Sequence, residues 1–352
     1  MNSEFFDALN ILEREKGLGA DELLEKIKVA IALAVKKDNG GCEAIFVDID
    51  PESQKFNVTL TKTVVEEIND AANEIIIGDA LRISKKAAVG EPIEIKLDTT
   101  RIGRIAAVAA KHVIKQGIRE AERNKVYEQY QSKMHELVTG IVQKIEPTGN
   151  LILDIDGNEV ELWRSELLPD DRFKEGSHVK VYVMDVVSND RRCIMKVSRT
   201  NKNFVKRLLE LEIPEISDGE IEIRAIAREP GLRSKVAVWS NNEDIEPVGA
   251  CIGSRGLRLN SIINELGGEK LDVIKYSEDP AEFISNALAP AKVVGVQITD
   301  EEQRTARVKV PDHMLSLAIG KKGIGVKLAA KITRYKIDIR PESGYFGELS
   351  ED

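Results

Sequence analysis

The spacing of apolar residues is helical through much of residues 1–130 and predicts an α+β unit there. In three segments apolar side chains recur every three or four residues, which is the spacing of one buried helix face. Two other segments are short, apolar and rich in strand-forming residues. The predicted helices contain Phe5, Leu9 and Leu12, then residues 21–37 and residues 102–130, and the predicted strands are residues 44–49 and 55–61.

Residues 131–200 have a different pattern, in which short strands follow one another closely. Turns containing Gly and Asn separate them. Five short strands in so short a segment are typical of a small barrel of the OB type, whose outer face can bind single-stranded nucleic acid by stacking and charge. The predicted strands are residues 138–145, 151–155, 159–162, 179–187 and 192–197.

Four aromatic side chains of this barrel are candidates for stacking on bases: Trp163, Phe173, His178 and Tyr182. Aromatic residues also fill the interior or the rim of a barrel, and the sequence leaves both interpretations open.

Residues 201–345 contain one pattern twice. Each copy has an alternating strand, a short helix, a loop with two glycines three residues apart, an amphipathic helix and a closing strand. The first glycine loop reads Gly-Ser-Arg-Gly at residues 253–256, and the second glycine loop reads Gly-Lys-Lys-Gly at residues 320–323. The preceding strands are residues 235–239 and 306–310, and the closing strands begin at Lys270 and Lys336.

Glycine pairs let the backbone approach a ligand closely, because no Cβ stands in the way. A nucleotide-binding P-loop requires Gly-Lys followed by Ser or Thr, which neither loop has. A dinucleotide loop follows a strand, whereas the residues before Gly320 predict a helix. A G-x-x-G loop between two helices holds about four nucleotides by their backbone in KH modules. A plain helical turn would explain one loop, but two loops in matching frames favour paired KH domains.

Charge supports this interpretation only locally. The chain has 51 Lys plus Arg against 60 Asp plus Glu, a net charge of −9, which excludes a uniformly basic nucleic-acid binder. Around the second loop the balance reverses, since seven cations and only Asp338 lie between residues 318 and 340. A solvated helix face is the alternative, but the position beside a glycine loop favours a phosphate track. The candidate RNA-binding residues are Gly253, Ser254, Arg255, Gly256 and Arg258 in the first copy, and Gly320, Lys321, Lys322, Gly323, Lys327 and Lys331 in the second.

A row of cations on the predicted helix 102–130 is a further candidate. Arg104, Lys111, Lys115 and Arg119 lie on one side of that helix, away from Ile105. A solvated face and a nucleic-acid track explain this row equally well.

No catalytic or metal site is evident in the sequence. The three cysteines, Cys42, Cys193 and Cys251, lie far apart and never at metal-ligand spacing with the four histidines. We interpret them as small apolar side chains in a reducing compartment. The longest apolar run near the N-terminus is too short for a membrane span or a signal peptide. We therefore expect a soluble, cytoplasmic protein without cofactor or metal.

Two long segments resemble the NusA family of bacterial transcription elongation and termination factors. They are "DTTRIGRIAAVAAKHVIKQGIREAER" at residues 98–123 and the continuous segment that starts with "VSRTNKNFVKRLLELEIPEISDGEIEIRAIAREPGLRSKVAVW" at residue 197 and includes "EPVGACIGSRGLRLNSIINELGGEKLDVI". The resemblance extends over essentially the whole chain. It implies a multidomain α+β protein with an N-terminal α+β polymerase-binding domain, a five-stranded OB-type β-barrel of the ribosomal protein S-one type and two tandem type II KH domains. The expected boundaries are residues 1–130, 131–200, 201–277 and 278–345, with a tail at 346–352.

The resemblance also implies a function. Members of this family dock on RNA polymerase near the flap over the RNA exit channel and hold emerging single-stranded RNA. They modulate pausing, intrinsic termination and antitermination, the last together with other Nus factors. Residues 253–256 and 320–323 match the RNA-binding loops of the family, and Arg104 and Lys111 match positions on a helix that faces exiting RNA.

This sequence departs from the family pattern in places. Ser254 and Trp163 stand where proline is common, so the resemblance implies RNA binding but leaves the RNA sequence preference open. The acidic repeats of some relatives do not follow residue 352, so self-inhibition and contact with the polymerase α-subunit are not part of the expectation.

The alternative function is that of a subunit or enzyme of RNA processing or degradation. Phosphorolytic exonucleases also combine a KH module with an OB barrel, but in the opposite order and after a large catalytic core. Exosome cap subunits share the order found here and are non-catalytic. We therefore expect a protein without enzymatic activity.

Overall fold

A computed structural model of the chain describes residues 20–50, 55–189, 192–242 and 244–344. The predicted helix with Phe5, Leu9 and Leu12 and the tail at 346–352 lie outside these residues. The chain divides into two compact units, Met1–Glu128 and Gln129–Asp352.

The first unit is an α+β domain built on one four-stranded sheet. Strand β2 is central, pairing antiparallel with β1 and β4 and parallel with β3. Helix α1 buries Ile27, Ile31 and Val35 completely, at the spacing of one helix face. The elements are α1 (Ala20–Asp38), β1 (Ile45–Asp50), β2 (Lys55–Val65), β3 (Glu74–Ile76), α2 (Ile77–Ile83), β4 (Pro92–Lys96) and α3 (Thr99–Gln131).

Small side chains let the long helix α3 pack closely against the other elements of this unit. Ala106 and Ala110 are buried in the same cluster as Ile27 of α1 and Val58 of β2. The predicted helix 102–130 is thus confirmed and is longer by a few residues at its start. Its opposite face is polar, which leaves the cationic row exposed.

The second unit begins with a nearly closed barrel of five antiparallel strands. The strand order is β7-β6-β5-β8-β9, and the end strands β7 and β9 contact each other. Strand β6 alternates so that Leu151, Leu153 and Ile155 face the interior. At Gly140 a Cβ would lie 3.0 Å from both Ile155 Cγ1 and Leu153 Cβ, which explains a glycine in this strand. The strands are β5 (Leu137–Ile145), β6 (Leu151–Ile155), β7 (Asn158–Leu162), β8 (His178–Ser188) and β9 (Cys193–Ser198).

Two KH folds follow the barrel, and each has a three-stranded sheet with the same topology. In both sheets the first two strands are antiparallel and the second and third are parallel. The first KH domain contains α4 (Lys202–Glu212), α5 (Pro214–Ser217), β10 (Ile221–Glu229), β11 (Arg233–Ser240), α6 (Pro247–Ile252), α7 (Leu257–Glu265) and β12 (Lys270–Lys275). The second contains α8 (Pro280–Ala287), β13 (Gly295–Asp300), β14 (Thr305–Val310), α9 (Leu315–Ile319), α10 (Ile324–Thr333) and β15 (Lys336–Pro341).

Apolar clusters run across the borders of these three folds. Tyr182 of the barrel belongs to one cluster with Phe204 and Leu208 of α4. Ala237 of the first KH sheet belongs to another with Leu328 of α10. The barrel and the two KH folds therefore share apolar cores instead of being joined by linkers alone.

A buried guanidinium fixes the barrel to the first KH domain. The Arg199 side chain is 2% exposed and donates to both carboxylate oxygens of Asp171 at 2.8 and 3.1 Å. It also donates to the Lys180 carbonyl in the barrel at 2.7 Å and to the Glu265 carboxylate at the end of α7 at 3.0 Å. The rings of Phe173 and Phe204 lie 5.1 and 5.0 Å from its Cζ atom. Because the guanidinium group is rigid and planar, its N–H groups point in fixed directions, and these contacts determine how the two domains are oriented.

A buried ammonium makes a similar connection between the two KH domains. Lys235 of β11 is 2% exposed, and its Nζ donates to the Ala289 carbonyl of the second KH domain at 2.8 Å. The same Nζ lies 3.1 Å from Asp272 Oδ2. Burial lowers the pKa of the Lys235 ammonium, and the Asp272 carboxylate opposes that shift.

Inside the first KH domain a buried carboxylate holds several elements together. Glu269 lies before β12 and accepts from Arg228 of β10, from the Ser234 hydroxyl at 2.6 Å and from the Gly231 backbone N–H at 2.9 Å. The Arg228 guanidinium in turn donates to the Asn201 carbonyl at 2.7 Å, at the start of α4. Both charged side chains are almost fully buried, so each depends on the other.

Replacing Glu269 by alanine should lower the free energy of unfolding of this unit by about 3–5 kcal/mol, because it leaves Arg228 buried without its counter-charge. The change is measurable as a lower calorimetric unfolding temperature. Glu301→Ala, at an exposed turn between β13 and β14, is the matched control and should leave the temperature unchanged. Equal temperatures for Glu269→Ala and the parent chain would show that this ion pair does not stabilise the fold.

Candidate RNA-binding site

The two glycine loops have almost the same backbone conformation. Gly253 and Gly320 have φ/ψ of 73/178° and 75/168°. Gly256 and Gly323 have 73/14° and 72/10°, in the left-handed region. The predicted repeat is therefore confirmed, since the corresponding glycines of the two loops have nearly the same φ and ψ.

The first glycine of each loop cannot be replaced by another residue without strain. Its conformation is one that essentially only glycine adopts. A Cβ on Gly320 would also lie 2.8 Å from the Gly325 backbone nitrogen, and a Cβ on Gly253 would lie 2.8 Å from Arg258 Cδ. The second glycine is different, since nothing lies within 4 Å of a Cβ on Gly323.

The third residue of each loop adds backbone strain of its own. Arg255 and Lys322 have φ of 54° and 53°, although neither is a glycine. Non-glycine residues in this region cost about 1–2 kcal/mol, and such conformations are concentrated at functional sites. This backbone fixes the direction in which the Cα–Cβ bonds of Arg255 and Lys322 leave the loop.

Each loop ends at the N-terminus of a helix. Gly256 precedes α7 and Gly323 precedes α10, and neither helix has a side-chain cap. The first backbone N–H groups of a helix lack intrahelical partners and carry the positive end of its dipole. This arrangement favours an anion, and a phosphate fits it directly.

Around the second loop the predicted cations are exposed but not all are free. Lys321 and Lys322 project from the loop into solvent. Lys327 and Lys331, one turn apart on α10, lie 3.3 and 3.4 Å from Glu229 Oε2 of the first KH domain. A hydrogen bond from Lys327 holds the pKa of the Glu229 carboxyl below its usual range. The predicted excess of positive charge at this loop is therefore smaller than the local sequence indicates, since Glu229 lies far away in sequence.

Around the first loop, Ser254 and Arg255 are exposed, whereas Arg258 is partly buried beside Gly253. Its Nη1 donates to both carboxylate oxygens of Glu215 at 2.9 Å and to the Ala250 carbonyl at 2.8 Å. This contact holds the pKa of the Glu215 carboxyl below its usual range. Arg258 thus supports the loop and its charge is compensated, which sequence spacing alone did not indicate.

The four cations predicted on the N-terminal helix all lie on its exposed side. Arg104, Lys111, Lys115 and Arg119 are solvent-exposed on α3, whereas Ala106 and Ala110 are buried. The four cations that helical spacing places on one side of the helix therefore form an exposed row on its surface.

The barrel aromatics divide between the two interpretations that the sequence left open. Tyr182 is 3% exposed, and its hydroxyl contacts Asn203 Nδ2 at 3.1 Å and His135 Nδ1 at 3.0 Å. Phe173 lies against Arg199. These two side chains have structural roles. Trp163, 47% exposed, and His178 remain at the surface.

Other kinds of site find no support in the described part of the chain. Within residues 20–50, 55–189, 192–242 and 244–344, no group of His, Cys, Asp and Glu side chains could hold a metal ion. Cys42 and Cys251 are buried, and burial raises the pKa of the Cys251 thiol to about 12. In the same ranges no helix is long and apolar enough to cross a membrane.

Two KH folds with matching glycine loops, behind an OB-like barrel, define the chain as an RNA-binding protein of the tandem KH class. Models of three domains match its sequence: the NusA N-terminal domain at residues 4–124, the NusA-like first KH domain at 199–276 and the NusA-like second KH domain at 280–345. The chain belongs to the NusA family.

Full-length relatives agree with this assignment, and each bears the name transcription termination/antitermination protein NusA. The protein of Halalkalibacterium halodurans is 42% identical over 97% of this chain and 89% of its own length. That of Bacillus subtilis is 41% identical over 100% of this chain and 96% of its own length. That of Thermus thermophilus is 38% identical over 100% and 92%.

The loop geometry predicts different costs for the two glycines of the second loop. Gly323→Ala should destabilise the unit by about 1–2 kcal/mol, the usual cost of a left-handed alanine. Gly320→Ala should cost about 3 kcal/mol or more, because backbone strain is joined by a collision with the start of α10. Urea unfolding followed by circular dichroism measures both. Equal costs at the two positions would contradict the geometry described for Gly320.

Proposed function

We propose that this chain is a non-catalytic transcription elongation factor that binds RNA polymerase and nascent single-stranded RNA. In this role it modulates pausing, intrinsic termination and antitermination. The observation that carries the proposal is the pair of glycine loops with one backbone conformation, in a chain whose N-terminal unit belongs to the NusA family. The relatives' shared name, transcription termination/antitermination protein, points in the same direction.

In this proposal the two loops hold RNA by its backbone. Gly253 and Gly256, and likewise Gly320 and Gly323, make room for phosphates at the helix N-termini. Arg255, Lys321 and Lys322 supply positive charge in solvent-exposed positions. Ser254 provides a hydroxyl instead of a charge. We expect the second loop to contribute more to affinity, since its two lysines have no carboxylate partner among the described residues.

Lys327 and Lys331 would take part only by exchanging Glu229 for a phosphate. Both side chains are about half exposed, so their ion pairs with Glu229 are largely screened by water. RNA binding would then release a carboxylate as well as counterions. Arg258 is assigned a supporting role, holding the first loop through Glu215.

The N-terminal unit is proposed to dock on RNA polymerase, near the flap over the RNA exit channel. The exposed row Arg104, Lys111, Lys115 and Arg119 would then face RNA as it leaves the enzyme. Other Nus factors are proposed as partners in antitermination. No step of this function requires a cofactor, a metal or catalysis by the chain.

RNA binding through the second loop can be tested with a charge pair at Gly323. Asparagine and aspartate both tolerate left-handed backbone, and a Cβ finds open space at this position. Gly323→Asp should weaken binding of a fluorescent single-stranded RNA at least about tenfold relative to Gly323→Asn, because a carboxylate then lies where a phosphate is expected. Fluorescence anisotropy at several salt concentrations measures the difference. If the two variants bind equally, the loop does not contact a phosphate.

A further inference from the structure

A second group of cations lies away from both glycine loops, in a cleft of about 340 Å³ between α4, β10 and the end of α10. Five basic side chains line it, and no Asp or Glu does so among the described residues. We call it the basic cleft. Its cations come from both KH domains: Lys202, Lys206, Arg224, Lys331 and Arg334.

A bulge in edge strand β10 changes the direction of one of these side chains. Arg224 lies at a β-bulge, between the pairs Ile223 with Val238 and Ala225 with Ala237. A bulge re-aims a side chain relative to the regular strand. The Arg224 guanidinium lies 4.5 Å from the centre of the Trp239 ring and 3.1 Å from Glu222 Oε2. It is therefore held in place and still 40% exposed.

Two other cations of the cleft have no carboxylate partner in the described structure. Lys202 is the first residue of α4, whose 11 residues start after the cap Asn201, so the positive end of that helix adds to its charge. Arg334 ends α10 in the left-handed conformation, with φ of 61°, and is exposed. Neither forms a salt bridge with any residue that the structure describes.

Nearby carboxylates compensate the other cations only in part. Lys206 lies 3.7 Å from Glu210, and Lys331 lies 3.4 Å from Glu229. Together with Glu222 beside Arg224, three carboxylates oppose five cations. The cleft keeps a positive charge in a chain whose net charge is −9. A concave surface lined by one sign of charge concentrates counter-ions of the opposite sign.

Helix α10 links the basic cleft to the second glycine loop. This helix starts directly after Gly323 and spans 10 residues, which is about 15 Å at 1.5 Å per residue. Lys327 and Lys331 are one turn apart on it, and Lys331 already lines the cleft. The loop and the cleft thus lie at opposite ends of one helix, with lysines between them.

We propose that the basic cleft binds the phosphate backbone of an RNA segment that continues beyond the second glycine loop. The inference rests on the proposed function, because it assumes that the loop holds RNA. It adds a second anchoring surface, formed jointly by α4, β10 and α10, and it makes affinity depend on RNA length. An acidic protein segment is the other ligand that such a cleft would attract, but the cation row leading from the loop favours RNA.

The test uses two substitutions that leave all described ion pairs intact. Lys202→Gln with Arg334→Gln removes two cations of the basic cleft. Lys85→Gln with Lys86→Gln removes the same charge from an exposed position in the N-terminal unit and is the matched control. Each protein, with residues 1–352 present, is titrated with oligouridine of about 8 nucleotides, enough for two loops at about four nucleotides each, and of about 20 nucleotides.

We expect the cleft variant to bind the longer RNA about tenfold more weakly near 0.15 M salt. The slope of log K against log salt concentration should also be shallower by about 1.4, because each lost contact with a single-strand phosphate removes about 0.7. The shorter RNA should bind equally to all three proteins. Unchanged affinity for the longer RNA would overturn the inference while leaving the loops intact. Equal weakening for both lengths would also overturn it.

Two further results separate this inference from its alternatives. If the unsubstituted chain binds neither RNA, the proposed function fails and the basic cleft inference fails with it. If the cleft variant loses binding of polyglutamate but keeps its affinity for the longer RNA, the cleft belongs to an acidic protein segment and the inference is overturned.

Discussion

Two buried cations fix the arrangement of the barrel and the two KH domains. Arg199 joins the barrel to α7, and Lys235 joins the first KH sheet to Ala289, directly after α8 of the second KH domain. Removing a charge from water costs several kcal/mol, so each cation needs its partners in one geometry. The three folds also share apolar clusters, but apolar contact is not directional. The hydrogen bonds of the two cations therefore select one orientation of the domains. The positions of the two glycine loops relative to each other depend on these contacts.

The loops themselves depend on strained backbone that the surrounding helices hold in place. Gly253 and Gly320 have a conformation available essentially to glycine alone, and Arg255 and Lys322 are left-handed despite their side chains. The loops are alike in backbone but not in charge. The first uses Arg258 to support its own structure, whereas the second has Lys321 and Lys322 exposed.

Local patterns in the sequence predicted much of this fold. The five barrel strands, the two helices of the N-terminal unit that lie in the described residues, and both loop frames follow from periodicity and glycine spacing. Edge strand β10 is absent from the predicted elements because the bulge at Arg224 interrupts its alternation. Long-range partners could not be predicted, because nothing near Lys327 in sequence points to Glu229 and nothing near Arg258 points to Glu215. The basic cleft is missed for the same reason, since its cations come from elements far apart in the chain.

The central claim is that the chain connects RNA polymerase to nascent RNA through two separate units. Single-round transcription on a template with a hairpin-stabilised pause tests it most directly, comparing the full chain with residues 129–352 at equal concentration. The account predicts that the full chain lengthens the pause and that residues 129–352, which keep both glycine loops, do not. Equal lengthening by the two proteins would contradict a docking role for the N-terminal unit.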